Sequence, residues 1–107
     1  MNSLACFGLN ENTINKICHV FEQHPDIEQV IIYGSRAKGT FRNGSDIDLT
    51  IISSEFPSSN LMKLNVELDD LNLPYTIDLS LKRQIEEKAL LEHIKNHGQV
   101  FFDQNKH

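Results

Sequence analysis

The sequence predicts an α/β (α+β) fold: a mixed sheet of three to four strands with helices packed on one face. Three observations carry that expectation. Apolar residues recur in turn at helical and strand periods, in the order helix, strand, short helix, strand, helix, strand, helix. The second and third strands each divide into an apolar and a polar face, so their polar faces can coincide on the open side of the sheet. At 107 residues and 39% hydrophobic content, the chain can bury one core and has no room for a second. Residues 1–107 are therefore expected to form a single domain.

Asn10 is placed to cap a first helix, on which Ile14, Ile17, Cys18 and Phe21 recur at helical spacing and which ends near His24-Pro25. Val30 to Tyr33 reads as a buried strand, stopped by Gly34. A short helical turn follows, then a loop around Phe41-Arg42-Asn43-Gly44, where Asn-Gly signals a turn. Asp46 to Ile52 makes the second strand. Pro57-Ser58-Ser59 opens a helix bearing Leu61, Leu64, Leu68 and Leu71, and Pro74 marks its end. Tyr75 to Ser80 is the third strand, with Tyr75, Ile77 and Leu79 facing one way and Thr76, Asp78 and Ser80 the other. A last helix is expected from about Lys82 to His97, closed by Gly98 as a C′ residue, and Val100 to Phe102 adds an edge strand.

The chemistry concentrates between Gly34 and Asp48. A Gly34-Ser35 turn follows one strand, and Asp46-Ile47-Asp48 heads the next. Residues i and i+2 of a strand point the same way, roughly 7 Å apart, so Asp46 and Asp48 share one side of the sheet while Ile47, Leu49 and Ile51 take the other. Two like charges so placed repel by about 1 kcal/mol in water and about 4 in a partly desolvated site. A divalent cation offsets that repulsion. Magnesium suits it best, because it binds through one or two carboxylates and completes its octahedron with water and phosphate oxygens. Gly34 permits a backbone conformation other residues avoid, the turn behind it offers N–H groups to an anion, and Ser35 adds a hydroxyl. Asp78, on the polar face of the third strand, would join Asp46 and Asp48. Carboxylates for metal beside donors for phosphate make a nucleoside triphosphate site.

Composition narrows the partners. A net charge of −5 argues against broad binding to a nucleic-acid backbone. No apolar run approaches the roughly 20 residues that span a bilayer, and the N-terminus lacks a signal-peptide layout, so a cytoplasmic address without membrane contact is expected. Cys6 and Cys18 are too few for a disulfide framework and read as reduced thiols.

Gly34-Ser35, Asp46-Ile47-Asp48 and a later Asp78 resemble the nucleotidyltransferase superfamily that includes the DNA polymerase β palm. The string GSRAKGTFRNGSDIDL looks most like the minimal nucleotidyltransferases, often called MNT, and the likeness covers nearly the whole chain. The resemblance implies a polymerase β palm-like fold in which Gly34, Ser35, Arg36 and Ser45 hold the nucleotide. It implies that Asp46, Asp48 and Asp78 bind two magnesium ions and carry catalysis, with Asp78 helping to deprotonate the attacking hydroxyl. Lys38 stands where many relatives have arginine, which keeps the charge but not the fork. The resemblance further implies ATP as substrate and a HEPN-domain helical partner in a hetero-oligomer. In such toxin–antitoxin pairs HEPN is an RNase toxin, which some members silence by transferring AMP to one of its tyrosines.

Other readings compete at particular residues. Gly34 and Gly39 have the spacing of a Walker A loop, but Thr40-Phe41 stands where Lys-Ser/Thr is required. Asp46 and Asp48 could merely solvate a strand end, and Asp78 an exposed sheet face. His93 and His97 lie one helical turn apart but lack a third zinc ligand, and they read as a solvated helix face. At the level of the whole chain, the alternatives are a non-catalytic module that neutralises its partner by complex formation and a small-molecule nucleotidyltransferase. The chain is short for an acceptor pocket of its own, which disfavours the second.

Overall fold

The chain's structure is a computed structural model that describes residues 6–105; residues 1–5 and 106–107 of the expected domain lie outside the described residues. Helix α1 (Glu11–Glu22) starts where Asn10 accepts the Thr13 N–H at 2.8 Å. Strand β1 (Gln29–Tyr33), short helix α2 (Gly34–Lys38) and strand β2 (Ile47–Ile52) follow. One 3-10 turn at Ser58–Asn60 leads into α3 (Leu61–Asp69), then β3 (Ile77–Leu81), a second such turn at Lys82–Gln84, α4 (Lys88–His97) and β4 (Gln99–Asp103). Among the described residues no helix is long and apolar enough to cross a membrane.

The strands lie in the order β3-β2-β1-β4. β1 runs antiparallel to β2 and to β4, while β2 and β3 are parallel, so the expected mixed sheet forms with β4 at one edge. Val30, Ile32, Leu49, Ile51, Leu79 and Leu81 point to one side, where they meet Ile17 and Phe21 of α1 and Leu64 and Leu68 of α3. Each such side chain, fully buried, is worth about 1.5–3 kcal/mol. This is the core face, and α1 and α3 cover it as the sequence predicts. α3 stops at Asp69, and Asn72 takes a positive φ of 56° before Pro74 is reached.

Phe101 and Phe102 are both buried, although consecutive strand residues should face opposite ways. A bulge resolves this: the β1–β4 register runs from Val30↔Phe102 to Ile31↔Val100, leaving Phe101 as the extra residue. Phe102 then packs on Phe21, with ring centroids 5.7 Å apart.

The last helix departs from the sequence reading in three ways. It begins at Lys88, because the Arg83 guanidinium bonds back to the Ser53 and Phe56 carbonyls and holds the chain in one turn at Lys82–Gln84. Gly98 is not left-handed; it sits at φ −65°, ψ 145°. It is glycine for closeness instead, since an added Cβ would lie 2.5 Å from the Ile94 carbonyl oxygen and 2.8 Å from the Ile31 side chain. Finally, Ile31 alternates with the core-facing Val30 and Ile32, so α4 packs on the second face near β1, which the sequence left open. Connection handedness explains it. The β2–α3–β3 crossover and the β3–α4–β4 crossover join parallel strands but travel in opposite directions along the sheet. If both keep the preferred right hand, their helices must take opposite faces.

Candidate active site

The second face carries the acidic residues in register. Tyr33 of β1 lies opposite Asp48 of β2, and Asp48 lies beside Asp78 of β3, so the three form a row across the sheet. Asp46 lies just before β2 begins, rather than inside the strand as the sequence suggests, and is close enough for its charge to act on Asp48. The Asp48 carboxyl is pushed above its ordinary range by burial first, then by the charges of Asp78 and Asp46. Both neighbours thus act on it, while Asp46 and Asp78 themselves are exposed. One rung further along, Ser80 donates to the Thr50 hydroxyl at 2.9 Å.

Gly34 opens α2 directly against this row. Its φ is +77°, and an added Cβ would run into the Asp48 carboxylate. Two demands, left-handed backbone and no side chain, therefore fall on one residue. The Ser35 hydroxyl makes no hydrogen bond among the described residues, and its carbonyl accepts the Thr40 N–H at 3.0 Å as α2 ends. Gly44 at φ 82° forms the loop's turn, with Ser45 N–H bonding to the Arg42 carbonyl at 3.0 Å.

Two expected nucleotide contacts are placed elsewhere. Arg36 is only 3% exposed. Its Nε and Nη2 donate to the Ser45 carbonyl at 3.1 and 2.9 Å, its Nη1 donates to the Phe7 carbonyl at 2.8 Å, and its guanidinium lies over the rings of Phe41 and of Tyr75. Adjacency in sequence misled here, because each residue of a helix turns roughly 100° and carries Arg36 away from the Gly34-Ser35 side. Ser45 is the other end of that lock; its hydroxyl accepts the Arg42 N–H at 2.8 Å. Lys38 is exposed at the end of α2.

Two residues belong here that the sequence reading did not assign. Tyr33 lies in the row, and its hydroxyl is pushed up by burial and by Asp78 and Asp48, against a hydrogen bond with Ser80. Strand alternation from Val30 and Ile32 could have placed it. His93 of α4, read from sequence as solvated, accepts the Gly34 N–H on Nε2 at 2.9 Å. Its ring meets Tyr33 edge-on at 6.1 Å and His97 at 5.1 Å. Burial, then His97 and Lys38, push its imidazole down, consistent with a neutral ring whose Nε2 lone pair is available. No local pattern announces this contact; it depends on α4 crossing the second face.

The donor set fits magnesium in kind: Asp48 and Asp78 are aligned on one face, and Asp48 is held against its own ionisation by burial first and then by its neighbours. Among the described residues no three His, Cys, Asp or Glu side chains are gathered closely enough to hold an ion alone.

The family model described as "Polymerase beta, Nucleotidyltransferase" matches residues 15–107. No curated protein matches the chain. Solved structures share its fold. One, a toxin–antitoxin with AMP-PNP, is 23% identical over 89% of this chain and 74% of its own, with a TM-score of 0.66. A second, the toxin–antitoxin MntA-HepT, is 16% identical over 91% of this chain and 75% of its own, at a TM-score of 0.65. A third, the tri-AMPylated Shewanella oneidensis HEPN toxin in complex with MNT antitoxin, is 16% identical over 90% and 74%, at 0.63.

Proposed function

Because the chain belongs to the polymerase beta nucleotidyltransferase family, we propose that it is an MNT antitoxin that transfers AMP from ATP to a hydroxyl of a HEPN toxin partner. The observation that carries the reading is the register Asp48↔Asp78, with Gly34 seated against Asp48. Carboxylates suited to a divalent cation thereby stand directly against the backbone of the Gly34-Ser35 turn. Neighbouring structures support the partner, since they pair an MNT antitoxin with a HEPN toxin and one toxin is AMPylated.

In this reading Gly34 and Ser35 hold the triphosphate through backbone N–H groups and the free Ser35 hydroxyl. Asp46, Asp48 and Asp78 would hold two magnesium ions, which when bound supply charge neutralisation at the attacking and leaving oxygens. The acceptor hydroxyl oxygen, a tyrosine's in the preferred case, bonds to the α-phosphorus as the bond to the bridging oxygen breaks, and pyrophosphate leaves. Its proton passes to Asp78, which is exposed and so reachable by a protein-borne acceptor. Arg36 and Ser45 support the site by fixing the loop between Gly39 and Asp46.

Incubating the complex with ATP and magnesium and weighing the partner tests the reading. An AMP-sized mass gain is expected, and Asp46→Asn or Asp48→Asn should reduce its rate by about 10²–10³-fold, the scale of lost transition-state electrostatics. Inhibition of the partner with no mass gain would establish the non-catalytic module in its place.

A further inference from the structure

We propose that His93 is a built-in gate on the phosphate cradle, taking up the Gly34 N–H that a nucleotide phosphate must claim. The inference rests on the nucleotide reading of the Gly34-Ser35 turn and adds a regulation to it. Its Nε2 stands 2.9 Å from the Gly34 nitrogen, and a ring nitrogen lone pair satisfies a backbone donor as a phosphate oxygen does. The contact crosses 59 residues of sequence and joins the helix on the second face to the turn that flanks Asp48.

The gate is a side chain on a fixed support. Ile94, the next residue, is buried, and Gly98 lets the end of α4 settle onto Ile31 with no room for a Cβ. Lifting α4 would expose Ile94, so the smaller movement is rotation of the His93 ring about its own side-chain bonds. That rotation gives up the edge-on contact with Tyr33 and the contact with His97 along with the hydrogen bond. Nucleotide binding therefore works against a neutral competitor already in place. Removing the competitor should tighten binding by about fivefold, the scale of one ordinary hydrogen bond.

The test is the affinity of the full chain for a fluorescent ATP analogue with magnesium, across His93→Ala, His93→Phe and His93→Gln. Phe keeps a ring against Tyr33 without an acceptor; Gln keeps an acceptor. Circular dichroism confirms that each variant folds. Tighter binding by Ala and Phe, with Gln near the parent, is the expected result. In the parent, adding Mg-ATP should also shift the His93 Nε2 nitrogen resonance as its bond to Gly34 breaks. Equal or weaker binding by both Ala and Phe, with nucleotide still bound by the parent, would overturn the gate alone. Failure of the parent and every variant to bind nucleotide would overturn the reading beneath it, and the gate with it.

Discussion

Asp48 is the residue on which structure and chemistry press hardest. Its carboxyl is half-buried, flanked by Asp78 and Asp46, and its pKa is raised. The unfolded chain therefore releases this proton at lower pH than the folded one. Between the ordinary carboxyl value and the raised folded one, stability falls as pH rises, and above both the cost stays in full. Asp48→Asn should then stabilise the metal-free protein near neutrality, modestly because the group is partly solvent-screened. The gain should vanish below the carboxyl range, as urea unfolding at the two pH values would register. Arg36 carries the opposite expectation. A lysine there cannot span the Ser45 and Phe7 carbonyls or lie flat over two rings, so Arg36→Lys should cost about 1.5–3 kcal/mol in unfolding free energy, the scale of a lost hydrogen bond to a charged group. A variant of unchanged stability but weakened nucleotide binding would return Arg36 to the phosphates. At this scale the pairing of Asp48 with Asp78 was legible from sequence, since strand alternation puts both on one face of neighbouring strands. The direction of Arg36 was not, because the phase of a five-residue helix depends on what its side chains find to bind.

Among the elements, β1, β2 and β3 kept the alternation read from sequence, although β2 begins at Ile47 and β3 runs Ile77–Leu81. By contrast, α4 did not follow its sequence signals. Gly98 has the composition of a left-handed helix stop, yet its backbone is extended and its role is close approach to Ile94 and Ile31. Sequence reports that a side chain is absent; only packing reveals which of the two uses is made of the absence. Gly98→Ala should accordingly destabilise by about 1–3 kcal/mol through overpacking. It should also disturb the His93–Gly34 contact, visible as a shift of the Gly34 amide resonance. A neutral substitution would mean that α4 is not seated on Ile31. The β4 bulge teaches a related point: Phe101-Phe102 breaks strand alternation, and one inserted residue lets both rings reach the core. On α3, Leu64 and Leu68 are core as their spacing implies, whereas Met62 remains 77% exposed.

For the whole molecule, the sheet separates two tasks. One face is sealed by α1 and α3 and supplies stability; the other bears Tyr33, Asp48 and Asp78 with α4 alongside. Fold class and the position of the acidic row could be argued from the sequence because each strand is read locally. The second face's cover could not be read locally, since it follows from the direction in which the chain crosses from β3 to β4. The central claim is that Asp46, Asp48 and Asp78 gather divalent metal beside the Gly34-Ser35 turn. Manganese, a paramagnetic stand-in for magnesium, tests it most directly in an amide-resolved NMR titration with a non-hydrolysable ATP analogue. The account predicts selective broadening at Gly34, Ser35, Asp48 and Asp78, abolished by Asp48→Asn. Broadening centred elsewhere, or unchanged by that substitution, would contradict it.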